Sequence, residues 1–521
     1  MSGPLLLAAQ VSAAPAHIVA PSISYYGLSP ILIVLGAALL GVLVEAFVPR
    51  DSRYAVQVML TIAGLVAALV AVIVVRSSSL TTAAGALAVD GFTLFSQGTI
   101  LIMALLSMLL VAERSVDTGS AVVAQAAVVA GSAADRRLVT SERVQTEVFP
   151  LALFAVSGML IFPAANNLLL MFVALEVLSL PLYLMAGLAR RRRLLSQEAA
   201  MKYFLLGAFA SAFFLYGVAL LYGYAGTVDL HGILTASSTK SDTLLYLGFG
   251  LLVVGLLFKA GIAPFHSWTP DVYQGAPTPV TAFMASCTKI SAFAALTRVL
   301  YVGFYGAQWN WRPVIWAVAI ASMVVGAIFG LTQTDVKRIL AYSSIAHAGF
   351  ILVGLLALNK SGLSSILFYL LAYGFTTVAA FGLITLVRDA DGEASRLSQW
   401  SGLAKKSPVL AGTMTVLLLG LAGIPLTSGF IAKFVVFRAA YHTAGPLVVI
   451  ALVSSAIAAF FYLRIVVIMF FADPPENGPT IAVPSALTTV ALTIGTAATV
   501  VLGIYPQQIL ELAAKAAIIH G

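Results

Sequence analysis

Ionisable residues are so widely spaced in this chain that long stretches of it carry nothing with which to face water. Between Glu147 and Glu176 lie 28 uncharged residues, and between Lys406 and Lys433 another 26. Only 9% of the 521 residues are charged, against about 25% in a soluble globular protein. Apolar runs of about 20 residues, long enough to cross a hydrocarbon core as helices, recur along the whole length. Lipid offers no hydrogen-bond partner, so a spanning segment must be a helix or part of a closed barrel. A barrel would show short alternating segments instead. The chain reads as an all-α integral membrane protein.

Fourteen spans are expected, near 25–48, 54–75, 92–112, 147–163, 166–188, 199–223, 243–265, 277–301, 313–331, 335–357, 363–387, 408–441, 446–471 and 484–504. The stretch 113–146 has an Ala/Val centre too short to span, flanked by charges, and reads as an inserted cytoplasmic loop. The tail "PQQILELAAKAAIIHG" reads as a short interfacial helix. The first residues lack a basic n-region and do not read as a cleaved signal peptide. Sixteen Lys and Arg are assigned to one set of alternate loops and the span ends beside them, Arg190 to Arg193 and Lys337 among them, and seven to the other, Arg298 among them. The positive-inside rule then puts the 190–193 loop in the cytoplasm and both termini outside. The "RRRR" run itself reads as a topology anchor beside anionic lipid.

Several chemistries are excluded. Cys287 is the one cysteine, whereas an iron–sulfur cluster takes about four thiolates. No Gly-x-Gly-x-x-Gly opens a soluble βαβ unit, and there is no Walker lysine loop. No cofactor or metal site is therefore expected on this chain. The net charge of +8 is no nucleic-acid signal, because the basic residues sit mostly between spans.

The remaining five cations lie deeper within spans: Lys202, Lys259, Lys289, Lys433 and Arg464. Lys202 and Arg464 lie near span ends, where snorkelling accounts for them. Lys259 closes a run of 16 uncharged residues, and Lys289 follows 17 and lies mid-span. Glu176 sits ten residues into its span. A charge at mid-membrane costs on the order of 2.5–3.5 kcal/mol, and such residues usually face a wet interior and serve ion or proton movement. Desolvation loosens an ammonium group's hold on its proton, and a nearby carboxylate tightens it again. Glu176, Lys259 and Lys289 thus read as proton-carrying groups, the plainer alternatives being a neutral acid fixing a helix contact and, for the lysines, snorkelling or a static pair with Glu176. Lys433 is followed by Arg438 and His442, so snorkelling and function both fit it. His347, mid-span in "SSIAHAGF", fits a hydrogen-bonded core histidine as well as a relay member. His266 and Asp271, in "PFHSWTPDVY", fit a loop-shaping role.

A weak repeat joins two of these positions. "KAGIAP" at 259–264 and "LAGIP" at 421–425 both place Ala-Gly-Ile before a proline. Gly and Pro open the helix ladder, which lipid forbids unless the freed groups line a cavity. Interrupted helices in two halves point to a transport path.

Three longer stretches carry a resemblance. "LLFKAGIAPFHSWTPDVYQGAPTPVTAFMASCTKISAF", "DVKRILAYSSIAHAGF" and "GIPLTSGFIAKF" resemble the antiporter-like membrane subunits of bacterial NADH-quinone oxidoreductase (complex I, NDH-1). Within that family "WTPDVYQGAPTPVTAF" is similar to the N form, where the L and M forms carry "WLPDAH…EAP". Lys433 stands where the M form would carry glutamate, and the long lateral helix of the L form is lacking. The resemblance implies about fourteen helices with two inverted repeats of five, helices 7 and 12 being broken. It divides the chain into 1–112 (helices 1–3), the 113–146 insertion, 147–301 (helices 4–8), 313–471 (helices 9–13) and 484–521. It makes Glu176 the fifth-span glutamate, Lys259 the seventh-span lysine, Lys289 the central lysine that hands protons across and Lys433 the terminal carrier. His347 remains a further candidate beside them. The implied activity is a translocase: protons cross through a Glu/Lys relay, driven by quinone reduction with NADH elsewhere in the complex. NADH, FMN, iron–sulfur clusters and quinone would sit on other subunits. Partners would be K- and M-type neighbours in a complex of about fourteen subunits, in the bilayer of the bacterial plasma membrane. The main rival is a subunit of a multi-subunit sodium/proton antiporter, which shares these motifs; a non-transporting scaffold is the third.

Overall fold

The computed structural model describes residues 22–116, 121–123, 132–133, 144–239, 243–389, 392–476 and 478–520. Most of the 113–146 insertion lies outside the described residues. Among them, twelve helices are long and apolar enough to cross a membrane, and two shorter apolar helices, Val148–Ile161 and Pro408–Ala422, join the bundle. Many begin where a polar side chain accepts from the first free N–H groups. Ser24, Asp90, Asn167, Asp335, Asn359 and Ser407 cap in this way.

The bundle is apolar outside and buries a set of polar side chains within a mostly apolar core. Gly91–Val111, Thr278–Gly303, Val336–Leu355 and Lys360–Ile384 form its almost wholly buried centre. Tyr25–Phe47 and Arg193–Ala225 lie at the rim and expose Leu39, Leu43, Phe209 and Tyr216. The central Thr278–Gly303 segment buries Thr281, Ser286, Thr288, Lys289, Ser291 and Arg298. Such a distribution suits a chain whose outer solvent is hydrocarbon and whose polar groups must find one another.

Two helices are interrupted at the repeated motif. Thr243–Ala260 ends at Gly261, and the short Trp268–Gly275 helix precedes Thr278–Phe283. The stretch 408–441, expected as one span, is instead Pro408–Ala422 followed, after a gap at Gly423, by a helix that starts at Ser428. That helix runs to Phe471 and is divided at Ala444, whose backbone is not helical (φ −146°, ψ 41°). The span expected at 199–223 begins at Arg193. The expected tail helix is present as Gln507–Ala516. Short antiparallel pairings decorate the ends: Leu80–Thr82 with Leu87–Val89 on one face, and Gly392–Glu393, Val387–Asp389 and Thr480–Ile481 on the face carrying 190–193.

Arg298, read from sequence as a loop cation, is fully buried. Its guanidinium donates to the Asp90 carboxylate (2.7 Å), the Thr93 hydroxyl (2.8 Å) and the carbonyls of Pro163 (2.6 Å) and His520 (2.9 Å). The same Asp90 caps its own helix through Thr93 N–H and accepts the His520 amide at 3.0 Å. One ion pair thereby ties four segments at the face opposite 190–193.

On the 190–193 face Glu113 does similar work. Its carboxylate accepts from the Ser115 amide (2.7 Å) and from the amide and hydroxyl of Ser485 (2.8 and 2.7 Å). Burial pushes this carboxyl up, but the hydrogen bonds from Ser115 and Ser485 outweigh it and hold the group down at about 2. A lowered carboxylate contributes stability above its unfolded value, near 4.3, and loses it as pH falls through the folded one. Glu113→Gln should therefore lower thermal stability by about 1–2 kcal/mol at neutral pH. In thermal unfolding of the detergent-purified protein, the gap from the parent should narrow below about pH 4.

Candidate functional site

Lys259 occupies the last turn before the first break. Gly261 takes a left-handed conformation (φ +69°), and the amides of Gly261 and Ile262 close back on the carbonyls of Phe258 and Leu257, both at 3.0 Å. This closure satisfies carbonyls that a helix end leaves open. The Trp268 indole donates to the Phe258 carbonyl at 2.9 Å and stacks on Tyr203 at 4.6 Å. The Lys259 ammonium donates to Ser179 Oγ (2.7 Å) and Tyr203 Oη (3.2 Å). It also lies 5.3 and 5.7 Å from the ring centres of Tyr203 and Tyr183, where ring faces attract a cation.

Glu176 stands one turn before Ser179 on Leu168–Ala186, so both project from one side of that helix. Its carboxylate forms no ion pair with Lys259 within 4.0 Å, and its Oε1 is buried without a hydrogen-bond partner. A buried carboxylate oxygen lacking a donor suits a bridging water. Glu176 and Lys259 are thus neighbours without direct contact, and Ser179, which accepts from Lys259, donates its own proton to the Leu175 carbonyl.

Lys289 sits at the centre of the bundle, directly after a π-helical turn, Met284–Thr288. Such turns recur at functional positions. Its ammonium donates to the Ser344 carbonyl at 2.8 Å and lies 5.8 Å from the Tyr373 ring centre. His347 is one turn beyond Ser344. Its Nδ1 meets Tyr369 Oη at 2.7 Å and its Nε2 meets Tyr462 Oη at 3.4 Å, while Tyr462 also contacts Ser343. The imidazole packs against Tyr373 (5.1 Å) and Phe350 (5.7 Å). Phe350 in turn lies under Lys433, 5.0 Å from its ammonium. Lys289, His347 and Lys433 therefore form one row, with Tyr373 and Phe350 between them.

Lys433 closes the second break. Its ammonium donates to the carbonyls of Leu421 (3.1 Å) and Ala422 (2.8 Å) and to Ser455 Oγ (2.8 Å). It meets the carbonyl end of Pro408–Ala422, where the helix dipole favours a cation. Lys259, Lys289 and Lys433 are only 3%, 3% and 6% exposed, so none of them snorkels.

The other intraspan cations stand apart. Lys202 is partly exposed and pairs with Glu198 and Asp271 at 2.6 and 2.7 Å. Arg464 donates to the Leu331 carbonyl at 3.1 Å. Asp271 also accepts from Arg338 at 2.7 Å, tying the short Trp268–Gly275 helix to two neighbours. Sequence reading did not single out Ser179, Tyr203, Ser344, Tyr369, Tyr462 or Ser455. Ser179 was within reach, being one helical turn from Glu176; the others are brought in by long-range packing.

Comparison with known proteins bears on the family and the fold. Residues 165–458 match the family model described as NADH:quinone oxidoreductase/Mrp antiporter, TM. A protein of Parafrankia sp. (strain EAN1pec) named NADH-quinone oxidoreductase subunit N is 62% identical, over 95% of each chain. A chain in the structure of respiratory complex I from Thermus thermophilus with bound aureothin is 34% identical, with a TM-score of 0.76 over 93% of this chain and 99% of that one. A chain of the Mrp complex from Dietzia sp. DQ12-45-1b has a TM-score of 0.79 over 95% and 97% of the two chains at 24% identity. At that identity it speaks for the fold alone.

Gly423 bears directly on Lys433. It is left-handed (φ +83°), and a Cβ there would come within 2.9 Å of the Lys433 side chain. Gly412, within the helix that Gly423 ends, has open space where a Cβ would go. Gly423→Ala should cost about 1–2 kcal/mol, whereas Gly412→Ala should be neutral or stabilising by up to about 1 kcal/mol. Thermal unfolding of the two variants in one detergent checks the opposite signs.

Proposed function

This chain belongs to the transmembrane family shared by NADH:quinone oxidoreductase and the Mrp antiporters, and from that premise we propose that it is the N-type proton-translocating membrane subunit of an NADH-quinone oxidoreductase. The observation that carries this reading is the row of buried lysines between two helix breaks, with a carboxylate at one end. The 62% identity to a protein named subunit N, against 24% to the Mrp chain, supports the oxidoreductase over the sodium/proton antiporter.

In this reading each group has one task. Lys259 holds a proton among Ser179, Tyr203 and two aromatic faces. Glu176, ionised, favours the protonated lysine; its neutralisation favours release inward. Lys289 receives the proton, and the His347–Tyr369–Tyr462 cluster carries it toward Lys433. Lys433 releases it on the far side of the second break. Tyrosine and serine hydroxyls suit the intermediate positions, since each can donate and accept.

The face carrying 190–193 is the cytoplasmic one in this proposal, with the termini on the opposite side, in a bacterial plasma membrane. Its partners are K- and M-type membrane subunits. With Cys287 alone, the chain holds no iron–sulfur cluster of its own, and NADH, FMN and quinone bind elsewhere in the complex.

The test uses the assembled complex in vesicles, with assembly verified by native gel. Lys259→Ala and Lys259→Arg should both cut proton pumping several-fold, because arginine keeps its proton. Quinone reduction should fall with it. Glu176→Gln should impair pumping and Glu176→Asp retain part. Glu176→Gln combined with Lys259→Ala should add little to the worse single change. Normal pumping by Lys259→Arg would sink the relay.

A further inference from the structure

One buried ion pair is left unused by that relay. Lys337, read from sequence as a loop cation, is 4% exposed at the start of Val336–Leu355. Its ammonium donates to the Ala276 carbonyl at 2.9 Å and lies 3.7 Å from the Glu393 carboxylate. A direct charged hydrogen bond would be about 2.7–2.9 Å. The lysine is thus anchored on a backbone carbonyl, and its carboxylate partner stands beyond direct hydrogen-bond reach. Glu393, at the end of the Val387–Glu393 hairpin, is fixed by the Thr278 hydroxyl. A water-sized cavity of about 50 Å³ opens on both residues, lined also by Gln274, Pro277, Arg192 and Arg388.

Inward of this pair lies a line of hydroxyls. Ser344 is two turns along the same helix, about 10 Å away, and its carbonyl is the acceptor of Lys289. The Tyr273 hydroxyl, buried between the two levels, approaches Ser344 Oγ, as does Tyr373. Yet Ser344 Oγ completes no hydrogen bond of good geometry, and the buried hydroxyls of Thr288 and Thr377 likewise lack partners. Orphaned buried hydroxyls around one ammonium mark room for water.

We propose that Lys337 and Glu393 form the entrance through which protons from the 190–193 face reach Lys289, by way of Tyr273 and water held at Ser344. This rests on the proton-translocation reading above. Glu393 takes a proton from water in the mouth. Lys337 passes its own proton to water on the side of Tyr273 and Ser344, and recovers one from Glu393. One proton enters, and both side chains return to their starting charge. The alternative is a static pair that pins the hairpin to the bundle.

The two roles separate on Glu393→Gln, which keeps the Thr278 hydrogen bond and the side-chain shape but carries no exchangeable carboxyl proton. The entrance predicts at least a threefold loss of protons pumped per NADH oxidised, with partial retention in Glu393→Asp. Normal pumping by Glu393→Gln in a fully assembled complex overturns it. A second measurement reads the water path itself. In a Cys287→Ser background, Ser344→Cys should react with a small membrane-impermeant methanethiosulfonate added at the 190–193 face of vesicles, scored by mass spectrometry of this chain. Absence of reaction from that face overturns the path. If Lys259→Arg abolishes pumping and Glu393→Gln does not, the entrance alone fails; if neither changes pumping, the carrier reading fails and takes the entrance with it.

Discussion

Lipid cannot solvate an ammonium group, so each lysine at mid-depth must find its oxygens within the protein. The chain supplies them in three different ways. Lys259 takes two hydroxyls and two ring faces. Lys289 takes one backbone carbonyl within an intact helix and a tyrosine ring. Lys433 takes two carbonyls released by a helix break, and a serine. None is matched with a carboxylate in direct contact, and that is the feature on which a carrier depends. A lysine locked to an acid at 2.7 Å, as Lys202 is to Asp271, is held in its charged form. A lysine held by hydroxyls and carbonyls keeps its hydrogen-bond partners and lacks only a fixed counter-charge.

The contrast with Arg298 makes the same point from the other side. Arg298 is fully buried and saturated by Asp90, Thr93 and two carbonyls. Guanidinium does not give up its proton in proteins, and removing one member of such a buried pair costs about 3–5 kcal/mol. The chain therefore uses arginine with a carboxylate to fasten segments and, in the proposed relay, lysine with neutral oxygens where charge is to change. Both devices lie in the same bundle, one at its edge and the other along its middle.

How much of this was legible in the sequence follows from range. The spans were readable because lipid imposes length and apolarity on each one locally. Glu176, Lys259 and Lys289 were readable because a charge inside a run of apolar residues violates that local rule. Lys433 was not decidable by the same rule: Arg438 and His442, just beyond it, make a span end equally consistent, and the oxygens that hold it inward come from Leu421, Ala422 and Ser455. Arg298 and Lys337 were misjudged for a related reason. Both stand near helix ends, where exposure is the usual outcome, and each is buried by a distant partner, Asp90 in one case and Glu393 in the other. The break at Gly423 was signalled by the Ala-Gly-Ile repeat, but its length was not. That gap separates Pro408–Ala422 from Ser428, so what read as one span is two helices meeting end to side.

The two breaks place their lysines in opposite senses, and this has a consequence for transfer between them. Lys259 belongs to the helix that precedes its break, and its ammonium leaves that helix for Ser179 and Tyr203 on neighbouring helices. Lys433 belongs to the helix that follows its break and reaches back to the carbonyls of the preceding one. Movement at the first break would therefore shift Lys259 relative to Glu176, altering its charge balance, while movement at the second would withdraw carbonyl oxygens from Lys433 directly. Between them Tyr373 touches both Lys289 and His347, and Phe350 touches both His347 and Lys433. Tyr373 offers a hydroxyl and so can continue a hydrogen-bonded path; Phe350 cannot. In the proposed relay the step from His347 to Lys433 is therefore carried by water passing the Phe350 ring, which makes hydration at that ring a point of control.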